Sequence, residues 1–429
     1  MKKYLALILG VIFVLSFAAS AFAIHAEIPS ETQAVVAKGA TQITLGGELR
    51  TRGWWRDNIG TIALPVIPPA SLTNMPTDTG SSAYYDQRVR LSVDATVAPG
   101  VKGYVMVETN SGNSDVYTWG NFNSKPTGLD INEAWILYSG SGLLGFNSGL
   151  KIGHMPLALG MKEFFDHTKF GDDAIVFFMD PTKQLHVGLL TIKFDEANRL
   201  DNGDDLDGYV ALMTYKLDDK ASLGVNYTYL NNSDGDFSHQ NIGIHGNASF
   251  GGVNLKGAAD YQFGDANEDV SFGGWAAMLG VDFKLNPVTL RAMVAYGSGD
   301  DDATDDDNDA FTTYLGADQH YTLIYEYLVK SAAGATATGL NNTGYINLGV
   351  DYAASKELSM SVDGYWLVAS EENAAGEDEI GWEVDAKIKY ALAKNLTYQV
   401  DAGYFDAGDF YGDDNEGVTV LRHTITLNF

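Results

Sequence analysis

The 429-residue chain contains no cysteine, which excludes disulfide staples, thiol catalysis, thiolate zinc sites and covalent attachment of a c-type haem. Basic residues are also scarce. Lysine and arginine total 27 against 56 acidic residues, for a net charge of −29. Nucleic acid is therefore not an expected partner, since its phosphates need a cationic surface. Past the first 23 residues no stretch reaches the ~18 apolar residues that a spanning helix requires. A catalytic constellation is missing as well. The eight histidines (His25, His154, His167, His186, His239, His245, His320, His423) are scattered, and no Ser/His/Asp group or carboxylate pair can be picked out. No catalytic residue, cofactor or metal site is expected, and the protein is not read as an enzyme.

The beginning of the chain is informative. Lys2-Lys3, an apolar run from Tyr4 to Phe17 and the small-x-small end Ala21-Phe22-Ala23 describe a cleavable secretory signal over residues 1–23. Residues 24–40 are then a periplasmic N-terminal segment, and 41–429 carry the fold. Without a spanning helix, a membrane can still be crossed by a closed barrel, because closure pairs every backbone group.

From residue 42 onward the pattern alternates with period two. Ile43, Leu45, Leu49 and Trp55 interleave with Thr44, Glu48, Arg50, Arg52, Trp54 and Arg56. Val89, Leu91, Val93, Ala95 and Val97 interleave with Arg88, Arg90, Ser92, Asp94 and Thr96. In 380–390, Ile380, Trp382, Val384, Ala386, Ile388 and Tyr390 oppose Gly381, Glu383, Asp385, Lys387 and Lys389. Successive strand side chains point to opposite faces, so each segment has one oily and one polar side. Short connections such as Pro99-Gly100, Gly251-Gly252 and Asn286-Pro287 alternate with long ones such as 57–82, 111–128, 196–207 and 299–341. Tight turns on one side and long loops on the other are the habit of outer-membrane barrels.

The 23 tyrosines support that reading. Trp275 and Phe283 bracket one apolar face and Trp382 and Tyr390 another, eight residues apart in each case. At ~3.3 Å per residue and ~40° tilt this is roughly 20 Å along the membrane normal, close to the ~25 Å apolar band between aromatic girdles. Tyr209, Tyr227, Tyr229, Tyr261, Tyr296, Tyr352, Trp366, Tyr398 and Tyr404 also fall near strand ends, where a ring sits in lipid and a hydroxyl among headgroups. The expectation is an all-β, transmembrane antiparallel barrel of 18 strands, with 16 as the fallback. The weakest strand is 173–180, where Ile175-Val176-Phe177-Phe178-Met179 is apolar without alternation. Either number of strands encloses a water-filled lumen.

The chain ends Val420-Leu421-Arg422-His423-Thr424-Ile425-Thr426-Leu427-Asn428-Phe429, which resembles the C-terminal strand by which barrel-assembly machinery recognises outer-membrane proteins. Tyr85-Asp86-Gln87-Arg88-Val89-Arg90-Leu91 and Leu150-Lys151-Ile152-Gly153-His154-Met155-Pro156-Leu157 are similar to segments of large Gram-negative porins and of alginate-export-type barrels. The resemblance implies an outer-membrane porin for passive diffusion of small hydrophilic solutes or ions. The alternative is a structural sleeve around a partner such as a multihaem cytochrome. A homotrimer would follow the porin habit, and lipid and lipopolysaccharide would surround the barrel.

Porin selectivity follows from bore and lining charge. Arg50, Arg52, Arg88 and Arg90 lie on the polar side of the first two strands and Arg422 on that of the last. Closure of the barrel would join these five into one basic wall, functional or salt-bridged to Glu48, Asp86 and Asp94. Residues 156–173 follow strand five, where porins fold a loop into the channel. Lys162, Glu163, Asp166, His167, Lys169, Asp172 and Asp173 are the constriction candidates, with carboxylates to face the arginines. The stretch 300–309 is strongly acidic, but lacks the glycine and terminal glutamate of a helix–loop–helix calcium site.

Overall fold

The computed structural model describes residues 41–59, 80–110, 116–120, 128–196, 205–232, 235–302, 304–313, 321–330, 338–412 and 416–429. The signal sequence, the 24–40 segment, His25 and His320 lie outside the described residues, as do most of the connections 57–82, 111–128 and 196–207.

Eighteen long strands make one antiparallel sheet. They are β1 (Gln42–Asp57), β2 (Ser82–Ala98), β3 (Val101–Asn110), β4 (Gly128–Gly140), β5 (Ser148–Met155) and β6 (Asp172–Met179). Next come β7 (Leu185–Asp195), β8 (Leu206–Lys216), β9 (Ala221–Asn232), β10 (Phe237–Phe250), β11 (Val253–Asp265) and β12 (Trp275–Leu285). The last six are β13 (Val288–Gly297), β14 (Thr343–Ala353), β15 (Leu358–Val368), β16 (Glu379–Ala393), β17 (Leu396–Ala407) and β18 (Val418–Asn428). Each pairs with its sequence neighbour, and β18 returns to β1 in the register Glu48↔Asn428 through Asp57↔Thr419. The sheet is closed, so no long strand is left with an open edge. The stretch 271–285 is divided: Ser271–Phe272 form a short pair with Asp307–Asn308, and the barrel strand starts at Trp275.

Burial in this barrel is inverted relative to a soluble core. The oily residues of the period-two pattern are the exposed ones, with Leu45 at 45%, Ile136 at 67% and Leu279 at 60%. Trp275, Phe283, Tyr261, Trp366 and Tyr390 are exposed on the same outer face. Lipid is the only solvent in which such a surface is favourable, at roughly 25 cal/mol per Å² of apolar area kept from water.

Strand β6 shows why alternation failed in its sequence. Ile175 faces out at 45% exposure, while Ala174 and Val176 are buried on the inner side. Their inner cover is the connection 156–171, whose Leu159, Phe164 and Phe165 share one apolar cluster with them and with Met155 at the end of β5. A strand covered by lipid outside and by protein inside is apolar on both faces. A second departure from the period-two reading is Ile380. A register shift between Leu367 and Val368 of β15 pairs them with Gly381 and Glu379, leaving Ile380 as an extra residue. It is buried at 1% exposure with the lumenal cluster instead of facing lipid. Bulges re-aim side chains in this way.

Candidate functional site

The arginines of β1, β2 and β18 share the inner wall, and four of them stand beside a carboxylate. Arg52 donates through Nε to Asp86 at 2.8 Å, Arg88 to Glu48 at 2.8 Å, Arg90 to Glu108 at 2.7 Å and Arg422 to Asp401 at 3.0 Å. Arg50 stands opposite Arg88 in the ladder. The wall is thus largely a run of ion pairs. Three of its guanidinium groups also meet one ring: Arg52, Arg56 and Arg422 lie 5.3, 4.5 and 4.8 Å from the centre of Trp54. The indole is aimed by Asp86, whose second oxygen accepts Trp54 Nε1–H at 2.8 Å. Cation–π attraction holds the cations over an aromatic face without neutralising them.

The connection after β5 folds inward. Phe164 reaches His239 of β10 at a ring distance of 5.5 Å, and Leu159 to Phe164 pack against Asn226, His245 and Asp260 of β9 to β11. Among the constriction candidates, Lys162 donates to Asp166 at 3.0 Å and His167 hydrogen-bonds Asp172 at 2.8 Å. Asp173 points outward and meets His154 at 2.9 Å. Glu163 is buried far across the lumen, within electrostatic reach of Lys256 and Tyr345. The carboxylates expected to face the arginines are therefore turned into the loop or onto other strands. The loop instead brings Lys169 to the arginine wall. Its carbonyl accepts from Asn132 at 2.9 Å, and Asn132 also donates to Glu108, the partner of Arg90.

A second segment enters the lumen that sequence reading placed in a long surface loop. Residues 309–313, 321–330 and 338–342 follow β13, with Phe311, Ile324, Glu326 and Leu340 almost wholly buried. Thr312 exchanges two hydrogen bonds with Gln262 of β11, each 2.8 Å. Tyr321 stacks on Tyr345 of β14 at 4.6 Å, and Tyr325 lies 5.7 Å from Phe405 of β17. Lys330 Nζ donates to the Gly339 and Asn341 carbonyls and to Thr343 Oγ1. Burial pushes this lysine down to about 7, with Glu326 opposing the shift. Burial likewise pushes the Tyr321 and Tyr325 hydroxyls far up.

The two inward segments and the wall meet at one place. Tyr327 stacks on Trp54, centroids 6.2 Å apart and planes 15° apart, and Tyr84 stacks on it at 6.2 Å and 17°. Around them is a cavity of about 420 Å³ lined by Arg52, Trp54, Arg56, Tyr84, Asp86, Lys169 and Tyr327, among others. Three cations, one carboxylate and three rings define its chemistry. It suits a solute with negative charge and a flat apolar face, since guanidinium groups bind carboxylate or phosphate in a fixed fork and rings take the face. Trp54 and Arg56 were visible on the polar side of β1. Tyr84 carried a weaker signal, at the mouth of β2. Tyr327 had none, because a non-periodic segment gives no face to read.

Comparison with known proteins agrees with this architecture. Among solved structures, OccK9 (OpdG) of Pseudomonas aeruginosa matches with a TM-score of 0.59 at 13% identity, over 90% of this chain and 98% of that one. OccK2 (OpdF) of the same organism, in complex with glucuronate, matches with a TM-score of 0.59 at 12% identity over the same shares. A BenF-like porin from Pseudomonas fluorescens matches with a TM-score of 0.55 at 11% identity, again over 90% and 98%. These likenesses are of fold. No curated protein matches the sequence. A family model described as alginate export matches residues 202–420, slightly more than half of the chain. With this match and its closed 18-strand barrel, the chain belongs to the alginate export family and is an outer-membrane, porin-type barrel.

Proposed function

We propose that the barrel is a diffusion porin that passes small hydrophilic solutes or ions without energy input and prefers anions. The observation that carries this reading is the cavity where Arg52, Arg56 and Lys169 surround Trp54, Tyr84 and Tyr327. Glucuronate, bound in the OccK2 structure, and alginate, in the family's description, are both carboxylate-bearing sugars. That is the chemistry the cavity suits: a carboxylate for the cations and a ring face for the aromatics. The channel role requires no bond-making step, so the protein is read as a transporter and not an enzyme. The sleeve alternative is disfavoured because the two inward segments occupy the room that a threaded partner protein would need. Recognition by assembly machinery through the strand ending at Phe429, contact with lipopolysaccharide and a homotrimer belong to the same proposal.

The test is electrical. In planar bilayers under a potassium chloride gradient, wild-type protein gives a reversal potential on the anion-selective side. Replacing Arg52 and Arg56 with Gln moves it towards cation selectivity. A reversal potential unaltered by both substitutions would remove the anion preference, while failure of proteoliposomes to swell in small neutral sugars would remove diffusion itself.

A further inference from the structure

Tyr327 forms one side of the cavity but belongs to the inward segment, so something must fix that segment's height in the lumen. The first turn, Leu323 to Tyr325, presents backbone N–H groups that no earlier turn can accept. They converge on two side chains of β16. Leu323 N–H donates to Asp385 Oδ2 at 2.9 Å, Ile324 N–H to Glu383 Oε1 at 2.7 Å and Tyr325 N–H to Glu383 Oε2 at 2.8 Å. Glu383 is fully buried, with 0% exposure, so water does not substitute for these bonds. The wall is shaped for the turn. A Cβ on Gly403 of β17 would lie 3.2 Å from the side-chain ends of both Ile324 and Leu323. Other tethers hold other parts of the segment: Tyr365 donates to the Tyr321 carbonyl at 2.7 Å, and Lys330 binds Thr343 at 2.7 Å. Tyr327 lies two residues past the last N–H that Glu383 holds.

We infer that Glu383, with Asp385 beside it, is the positioning residue that places Tyr327 against Trp54 and thereby sets the bore and anion affinity of the cavity. The inference rests on the reading of that cavity as the anion site. Glu383 does not line the cavity. It accepts the turn's N–H groups on β16, and the segment carries the constraint past β17 and β18 to the ring on β1.

The experiment uses the full chain in planar bilayers, with two readouts: chloride conductance and its block by glucuronate. Tyr327→Ala raises conductance and weakens block by about threefold to tenfold, the size of one lost ring contact. Glu383→Gln places a donor where an acceptor was needed and reproduces both changes. The double variant adds nothing further, because both substitutions act through one ring. Glu383→Asp, which keeps the charge, recovers part of the wild-type block. Should Glu383→Gln fail to give a heat-modifiable folded band in electrophoresis, Asp385→Ala removes the Leu323 tether, leaves the two Glu383 bonds in place and gives the smaller change in the same direction. Wild-type conductance and block in Glu383→Gln, or full additivity with Tyr327→Ala, overturns the inference. If Arg52→Gln with Arg56→Gln leaves selectivity unaltered while Glu383→Gln still widens the bore, the anion site fails and the positioning role survives.

Discussion

At the scale of single residues, the barrel's inner wall shows how one ring can organise several charges. Trp54 receives three guanidinium groups and is aimed by Asp86. Arg88 and Arg90 are instead committed to Glu48 and Glu108. Replacing Arg88 and Arg90 with Gln strips the cations from two partly buried carboxylates, so the reversal potential is expected to move towards cations, by measurement in a salt gradient. The lost ion pairs should also cost stability, on the order of 1–3 kcal/mol for each carboxylate, with Asn132 still donating to Glu108. Period-two alternation was enough to place Arg50, Arg52, Arg88, Arg90 and Arg422 on one wall, because the pleat fixes which face each residue takes. Alternation says nothing of partners. Asp86 could be seen beside the arginines, but Glu108 and Asp401 come from strands that only closure and register bring alongside.

At the scale of elements, the strands were legible to within a few residues, while of the two inward segments only the one after β5 was expected. A strand advertises itself by its two faces. A loop that turns into the lumen looks in sequence like one that turns outward, and 156–173 stood out only by its place after strand five, where porins fold a loop into the channel. Residues 321–330 gave no comparable hint, since the strands beneath them, β15 to β17, offer polar inner residues such as Tyr365, Glu383 and Asp385 that also suit water. The β16 bulge has its own test. Gly381 has φ +127°, and a Cβ there would stand 2.0 Å from the Asp406 carbonyl. Gly381→Ala is expected to cost roughly 1–3 kcal/mol, read as a lower temperature for the heat-induced mobility shift. Lys330 supplies a pH dependence. Its buried value is lowered from 10.5 to about 7, so between those values the unfolded chain binds more protons than the docked segment. Docking is therefore weakest below about 7 and strengthens as pH rises towards 10.5. The mobility-shift temperature should climb over that window in the wild type more than in Lys330→Met.

At the scale of the whole molecule, an excess of acid sits around a partly basic bore. Asp301, Asp302, Asp305, Asp306 and Asp307 are exposed beyond β13, and hydrogen bonds from Thr304 hold the Asp302 carboxyl below its usual range. Such a mouth repels anions at long range, while the arginine pocket acts at contact. Raising salt shortens the screening length from about 30 Å at 0.01 M to 3 Å at 1 M, which silences the mouth before the pocket. The chloride-to-potassium permeability ratio is accordingly expected to increase with ionic strength, and a ratio that falls would place the dominant charges elsewhere.

The two-faced strand β6 also constrains the order in which the molecule is built. While the chain is still unpaired, the run Ala174 to Met179 offers apolar side chains on both of its faces. Lipid can relieve only one side of that run. The other stays wet until Phe164 and Phe165 swing across it, and they have nothing to land on until the neighbouring staves stand. Insertion must come first and narrowing second, so each newly made barrel passes through a wider-mouthed youth.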